Sequence, residues 1–181
     1  MKWKYPTQDS CGKQIKMYTQ WLAMTNRPKQ QKYKEGTIID ERFLSYDDYI
    51  EWAMEQIGWL NLEDSGRVWA LDNNIIGDGS IYSPDVCVFV PAVINNFNTK
   101  KNKETITGSR GIVFQDNLYY AKTKMFGKDF YGGSFRNIED AILRYQDIRI
   151  EYLMLLSEKY FKFIDDRILP KMLLDLTNDF I

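Results

Sequence analysis

Asp72, Asn73, Asn74, Asp85, Asn95 and Asn96 crowd side-chain oxygens into one short stretch of this 181-residue chain, around Tyr82-Ser83-Pro84-Asp85-Val86-Cys87. Carboxylate and carboxamide oxygens are what a hard divalent cation such as Mg²⁺ takes as ligands. Asp72 with Asn95 or Asn96 is the candidate set of oxygens for such a cation. The chain contains no histidine, so imidazole can serve neither as general base nor as ligand. Asp and Glu ordinarily titrate near 4, so a carboxylate acting as the base would need a raised pKa. A plainer reading stands beside this one. Asp72 can be a turn residue bonding nearby backbone N–H groups, and Tyr82-Ser83-Pro84-Asp85 a turn that contains Pro84.

The elements that must position these residues follow from hydrophobic spacing. Ile15, Tyr18, Leu22 and Met24 predict a helix over 12–24, capped by Asp9 or Ser10 and stopped before Pro28. A polar basic loop runs from Lys29 to Lys34. Ser45 with Asp48 forms an acidic capping box. The helix it opens carries Tyr46, Tyr49, Ile50, Ala53, Met54 and Ile57 on one side and ends at Gly58. Val68–Leu71 and Val86–Val90 read as short strands, separated by the turn-rich segment Asn73–Ser80. Pro91 suits the first turn of a helix reaching Phe97. Asn98–Thr107 is polar and Lys-rich, the best linker in the chain.

Beyond it the rhythm changes to hairpins. Gly111–Gln115, Leu118–Met125 and Asp129–Phe135 predict a three-stranded antiparallel meander with turns at Asp116-Asn117 and Phe126-Gly127. Asn137 caps a long helix whose stripe is Ile138, Ala141, Ile142, Tyr145, Ile148, Tyr152, Leu155 and Leu156. A last short helix starts at Pro170. Alternation in 118–125 puts Tyr120, Lys122 and Lys124 on one face and Tyr119, Ala121, Thr123 and Met125 on the other. The side with Ala121 packs on the helix, which leaves two lysines and a ring on the open face. The expected fold is α+β. A helical lead-in and a strand-loop-strand-helix module occupy 1–98, and a sheet on a long C-terminal helix occupies 108–181.

Composition bounds the function classes. Net charge is −1, so global charge does not announce a nucleic-acid binder. The distribution is uneven. Residues 91–136 carry Lys100, Lys101, Lys103, Arg110, Lys122, Lys124, Lys128 and Arg136 against Glu104, Asp116 and Asp129. Aromatics make up 15% of the chain, enough to fill small cores and to leave some rings for stacking on bases or partners. Cys11 and Cys87 are far apart and lack metal-site spacing, and no secretory leader is evident, which points to free thiols in a reducing cytoplasm. With no His and two Cys, a four-ligand zinc site is excluded. No apolar run is long enough to span a membrane.

Two stretches resemble known families. Ser109-Arg110-Gly111-Ile112, Tyr119-Tyr120-Ala121-Lys122, Gly127-Lys128, Tyr131-Gly132-Gly133-Ser134-Phe135, Glu139-Asp140-Ala141 and Tyr145 resemble the Apetala-type DNA-binding domain of plant ethylene-response factors. That domain is also found fused to phage and mobile-element nucleases. The resemblance implies a sheet that enters the major groove of double-stranded DNA, with Arg110, Tyr120, Lys122, Lys124 and Lys128 as contact residues. Leu71-Asp72, Tyr82-Ser83-Pro84-Asp85-Val86-Cys87 and Asn95-Asn96 resemble the divergent HNH homing-endonuclease core that precedes such domains. Tyr18, Trp21 and Met24, with the acidic helix near Trp52, resemble its helical lead-in. The resemblance implies a nuclease centre with Asp72 as the catalytic candidate and Asp72 with Asn95 or Asn96 as ligands of Mg²⁺, whereas the missing histidines depart from that pattern and imply a core that has lost its base. Asn74 stands where relatives often carry a second Asp.

Three functions are consistent with these residues. The first is a non-catalytic phage-type DNA-binding protein derived from an HNH endonuclease. The second is a Mg²⁺-dependent endonuclease with a carboxylate centre. The third is a phage protein that binds a host enzyme or defence protein, since protein interfaces favour Tyr, Trp and Met.

Overall fold

The structure is a computed structural model, and it describes residues 3–30, 36–97 and 107–178. The expected linker Asn98–Thr107, apart from Thr107, and most of the basic loop Lys29–Lys34 lie outside the described residues. The chain divides into two compact units, 1–95 with 163–171 and 96–162 with 172–181. Residues 163–171, which a linear reading assigns to the second half, therefore belong to the first unit. No described helix is long and apolar enough to cross a membrane.

In the first unit, α1 (Lys16–Thr25) starts a turn later than its apolar spacing suggests. Asp9 does not cap it. The Asp9 carboxylate instead accepts the backbone N–H of Cys11 and of Lys13, each at 2.9 Å, and so closes its own turn. The helix stops as expected before a 3₁₀ turn at Arg27–Lys29 that contains Pro28. β1 (Ile38–Ile39) follows. α2 (Tyr46–Met54) opens on Ser45, whose hydroxyl accepts the Asp48 N–H. It buries Tyr46, Tyr49, Ile50 and Ala53. The helix ends a turn before Gly58, so Met54 and Ile57 are exposed rather than part of the buried side. Gly58 still has its own reason. It sits at φ +89°, and a Cβ there would lie 2.8 Å from the Trp69 ring and 2.9 Å from the Phe89 carbonyl.

β2 (Ala70–Asp72) pairs antiparallel with β4 (Val88–Val90), while β3 (Ile81–Tyr82) pairs in parallel with β1. α3 (Ala92–Phe97) follows Pro91, and the Glu63 carboxylate accepts the Ala92 N–H at 2.6 Å, at the positive end of that short helix. The core of this unit is aromatic. Trp21, Phe43, Tyr46, Tyr49 and Phe89 are buried, with Trp3, Tyr18, Trp52 and Trp59 packed against them. Many of the rings meet edge to face, as Trp3 does with Trp21 and Phe43 with Tyr49. Such pairs contribute about 0.5–1.5 kcal/mol each beyond the area they bury. Much of the aromatic content is therefore core.

In the second unit β5 (Ile112–Gln115), β6 (Leu118–Met125) and β7 (Lys128–Phe135) form the expected antiparallel meander. Its turns take left-handed backbone at Asp116, Asn117, Phe126 and Gly127 (φ +48° to +79°), the geometry that matches strand twist in two-residue hairpins. α4 (Ile138–Tyr160) begins at Asn137, whose side chain accepts the Asp140 N–H at 2.8 Å. Ala141, Tyr145 and Ile148 pack on Ile112 and Ala121. Further along α4, Leu155 is exposed, whereas Arg149 and Leu153 are buried. The buried guanidinium of Arg149 donates to the Phe97 carbonyl at 2.7 Å and stacks 3.6 Å from the Phe97 ring centre. A charged side chain thus holds a position that hydrophobic spacing alone would not assign. α5 (Ile168–Asn178) starts two residues before Pro170, which the first helical turn tolerates.

Candidate functional site

The sheet face away from α4 is built by alternation and by one irregularity. Ala121 is fully buried against the helix, so Tyr120 and Lys122 point the other way. Tyr120 is registered with Ser134, Lys122 with Tyr131, and Lys124 with Asp129. A register shift between Ala121 and Lys122 leaves Gly132 as an extra residue in β7. That bulge lets Tyr131 and Ser134 share a face although they are three positions apart. It also returns both Phe130 and Phe135 to the core. Gly132 is required there, because an added Cβ would stand 2.3 Å from Ile148 Cδ1.

The result is a face carrying two rings and two cations. The Tyr120 and Tyr131 ring centres are 6.1 Å apart with planes at 38°. Lys122 Nζ lies 5.0 Å from the Tyr120 ring centre. Lys124 Nζ lies 3.5 Å from the Asp129 carboxylate, with both side chains largely exposed. A pair so exposed contributes between zero and about 1 kcal/mol, and it leaves the ammonium able to exchange partners. Tyr120, Lys122 and Lys124 therefore sit together. Lys128 does not join them: its partner across the ladder is Met125, which packs on the helix side. Arg110 lies in the exposed turn before β5. Tyr131 belongs to the face and was not among the contact residues expected from sequence. Its exposure follows from the Gly132 bulge, which simple period-two alternation does not reveal.

The oxygen-rich stretch of the first unit forms a different kind of place. Asp72 is buried, and its Oδ1 accepts the backbone N–H of Asn74 and of Ile75, each at 2.8 Å. Asn73 donates to the Ile81 carbonyl at 2.8 Å. Asp72 and Asn95 line one cavity of about 290 Å³, together with Arg27, Thr37, Asn73, Asn74, Asp78 and Tyr82. Asn96 is exposed and does not line it. Asp72 and Asp78 with neutral amide oxygens match the one or two carboxylates that Mg²⁺ commonly takes. Among the described residues no three His, Cys, Asp or Glu side chains gather to hold a metal ion, and the Arg27 cation lines the same space.

Tyr82 ends β3, and the turn runs from Ser83 to Val86, one residue later than expected. The Ser83 carbonyl accepts the N–H groups of Val86 and Cys87 at 3.3 and 3.0 Å. Asp85 holds Arg42 at 2.7 Å through its carboxylate and Arg167 at 2.7 Å through its carbonyl. Cys87 is buried, and burial pushes its thiol up to about 12, which removes it as a nucleophile near neutral pH. Compared with protein-family models, curated proteins and solved structures, the chain gives no match.

Proposed function

We propose that this chain is a non-catalytic DNA-binding protein, and that the helix-free face of β5–β7 is its contact surface. The observation that carries this reading is the grouping of Tyr120, Lys122 and Lys124 on one open sheet face, with Tyr131 beside them. Lysines at such a face contact phosphates, and flat side chains between them meet bases. Arg110, in the turn beside the sheet, is a further candidate. The resemblance to the Apetala-type domain supplies duplex DNA as the ligand class and a phage or mobile element as the setting. The reducing host cytoplasm is where two free thiols, Cys11 and Cys87, fit. Lys122→Glu combined with Lys124→Glu should abolish a gel shift that weakens steeply with salt. A wild-type protein that binds neither duplex nor single-stranded DNA at low salt overturns the reading. A host protein retained through nuclease treatment in a pull-down points instead to protein binding.

A second reading has one observation in its favour: Asp72 and Asn95 line the same cavity. In that reading the chain is a Mg²⁺-dependent endonuclease, with those two residues and Asp78 supplying oxygens to the cation. Its test is plasmid cleavage in Mg²⁺ or Mn²⁺ that disappears in Asp72→Ala. Absence of cleavage with either metal removes it.

A further inference from the structure

We infer that Tyr120 and Tyr131 form a stacking platform for unpaired bases, so that the sheet face takes single-stranded DNA in preference to uninterrupted duplex. The inference rests on the proposal that this face takes nucleic acid, and narrows it. Tyr131 is 56% exposed, the ring on this face most open to solvent. The two rings are tilted at 38° with centres 6.1 Å apart, so they do not close face to face on each other. Lys122 lies beside both, across the ladder from Tyr131 and 5.0 Å from the Tyr120 ring. The face thus sets two neighbouring π-surfaces beside one cation, so that bases can stack while the ammonium meets the strand's phosphate.

The balance of charge and ring area favours the single strand. Tight duplex binders neutralise on the order of six to ten phosphates. This face offers Lys122 and Lys124, with Arg110 in the turn beside it, and Lys124 already has Asp129 at 3.5 Å. Lys128 falls on the other side of the ladder, with Met125. In a duplex the π-faces of the bases are covered by their neighbours, so an exposed tyrosine meets only edges and sugar. In a single strand those faces are open. Stacking one base on one ring raises affinity by roughly 5- to 150-fold. Two rings therefore outweigh two lysines, one of them paired.

Fluorescence anisotropy with a labelled mixed-sequence single strand and the blunt duplex of the same sequence tests this. The full chain should bind the single strand at least about tenfold more tightly. Tyr131→Ala should weaken single-strand binding by roughly 5- to 150-fold and duplex binding by less than about twofold. Tyr131→Phe, which keeps the ring, should stay near wild type. Circular dichroism should show both variants folded, as expected for an exposed position. Equal or tighter binding of the duplex, or a Tyr131→Ala variant with unchanged single-strand affinity, overturns the inference. If duplex binding is tight and lost in the lysine double variant, the inference falls while the DNA-binding proposal stands. If neither DNA form binds, both fall.

Discussion

Replacing Gly132 by alanine probes the contact that sets both the sheet–helix packing and the side on which Tyr131 emerges. The new Cβ would lie 2.3 Å from Ile148 Cδ1, then 3.2 Å from the Cβ and the carbonyl oxygen of Ala121. The first distance is impossible without movement, and the other two are tight but tolerable. Ile148 is fully buried, so its terminal methyl has little room to retreat. Overpacking of this kind costs about 1–3 kcal/mol. Ile148→Val removes the methyl that clashes, at a cost of its own near 0.5–1.5 kcal/mol. The two changes should therefore couple: Gly132→Ala should cost less than half as much in the Ile148→Val background. Urea denaturation followed by circular dichroism, on the four proteins of the cycle, gives the interaction energy. Additivity to within about 0.3–0.5 kcal/mol would refute the claim that Ile148 makes position 132 a glycine. A Gly132→Ala variant as stable as wild type would remove the close approach altogether.

Two other perturbations separate structural from chemical roles. Asp72→Ala removes the acceptor for the Asn74 and Ile75 N–H groups and should cost about 2–3 kcal/mol in buffer containing a chelator; a loss below about 0.5 kcal/mol there would mean that Asp72 is not holding its own turn. The Asp40 carboxylate accepts the backbone N–H, Nε and Nη2 of Arg42, and these hold its pKa at about 2 rather than 3.8. The folded pKa lies below the unfolded one, so the stability this pair contributes is full above about pH 4 and disappears as pH falls through about 2. Arg42→Ala should therefore be less stable than wild type near neutrality and indistinguishable from it below about pH 2, by chemical denaturation across pH; a gap that does not close in acid counts against the pairing.

The second unit was the more legible half, for physical reasons. Asp116-Asn117 and Phe126-Gly127 adopt the left-handed backbone that hairpin turns need, and such turns announce themselves locally. Asn137 and Asp140 mark the start of α4 in the same way. The β1–β3 pairing was not legible. Two residues on each side, Ile38-Ile39 and Ile81-Tyr82, are too short to show a period, and a parallel pair so distant in sequence has no turn to flag it. Arg149 escaped because a buried cation breaks the apolar pattern; only its contacts with Phe97 explain it. At the candidate site, alternation identified Tyr120, Lys122 and Lys124 correctly as neighbours. It did not place Lys128, whose side depends on ladder register, and it missed Tyr131, which emerges through a bulge. The joint placement of Asp72 and Asn95 in one cavity depends on how β2 and α3 come together, which residue types alone do not state.

The return of residues 163–171 to the first unit sets the order of assembly during synthesis. A ribosome adds residues one at a time, and domains generally fold as they emerge. The N-terminal unit begins first, yet it lacks Ile164, Ile168 and the Arg167 link to the Asp85 carbonyl until all of 96–162 has been made. The unit started first is thus completed late, and a single cut anywhere between 96 and 162 separates it from part of its own interior. Isolating the first unit as a fragment therefore calls for rejoining the chain, with 1–95 linked to 163–171, rather than for truncation.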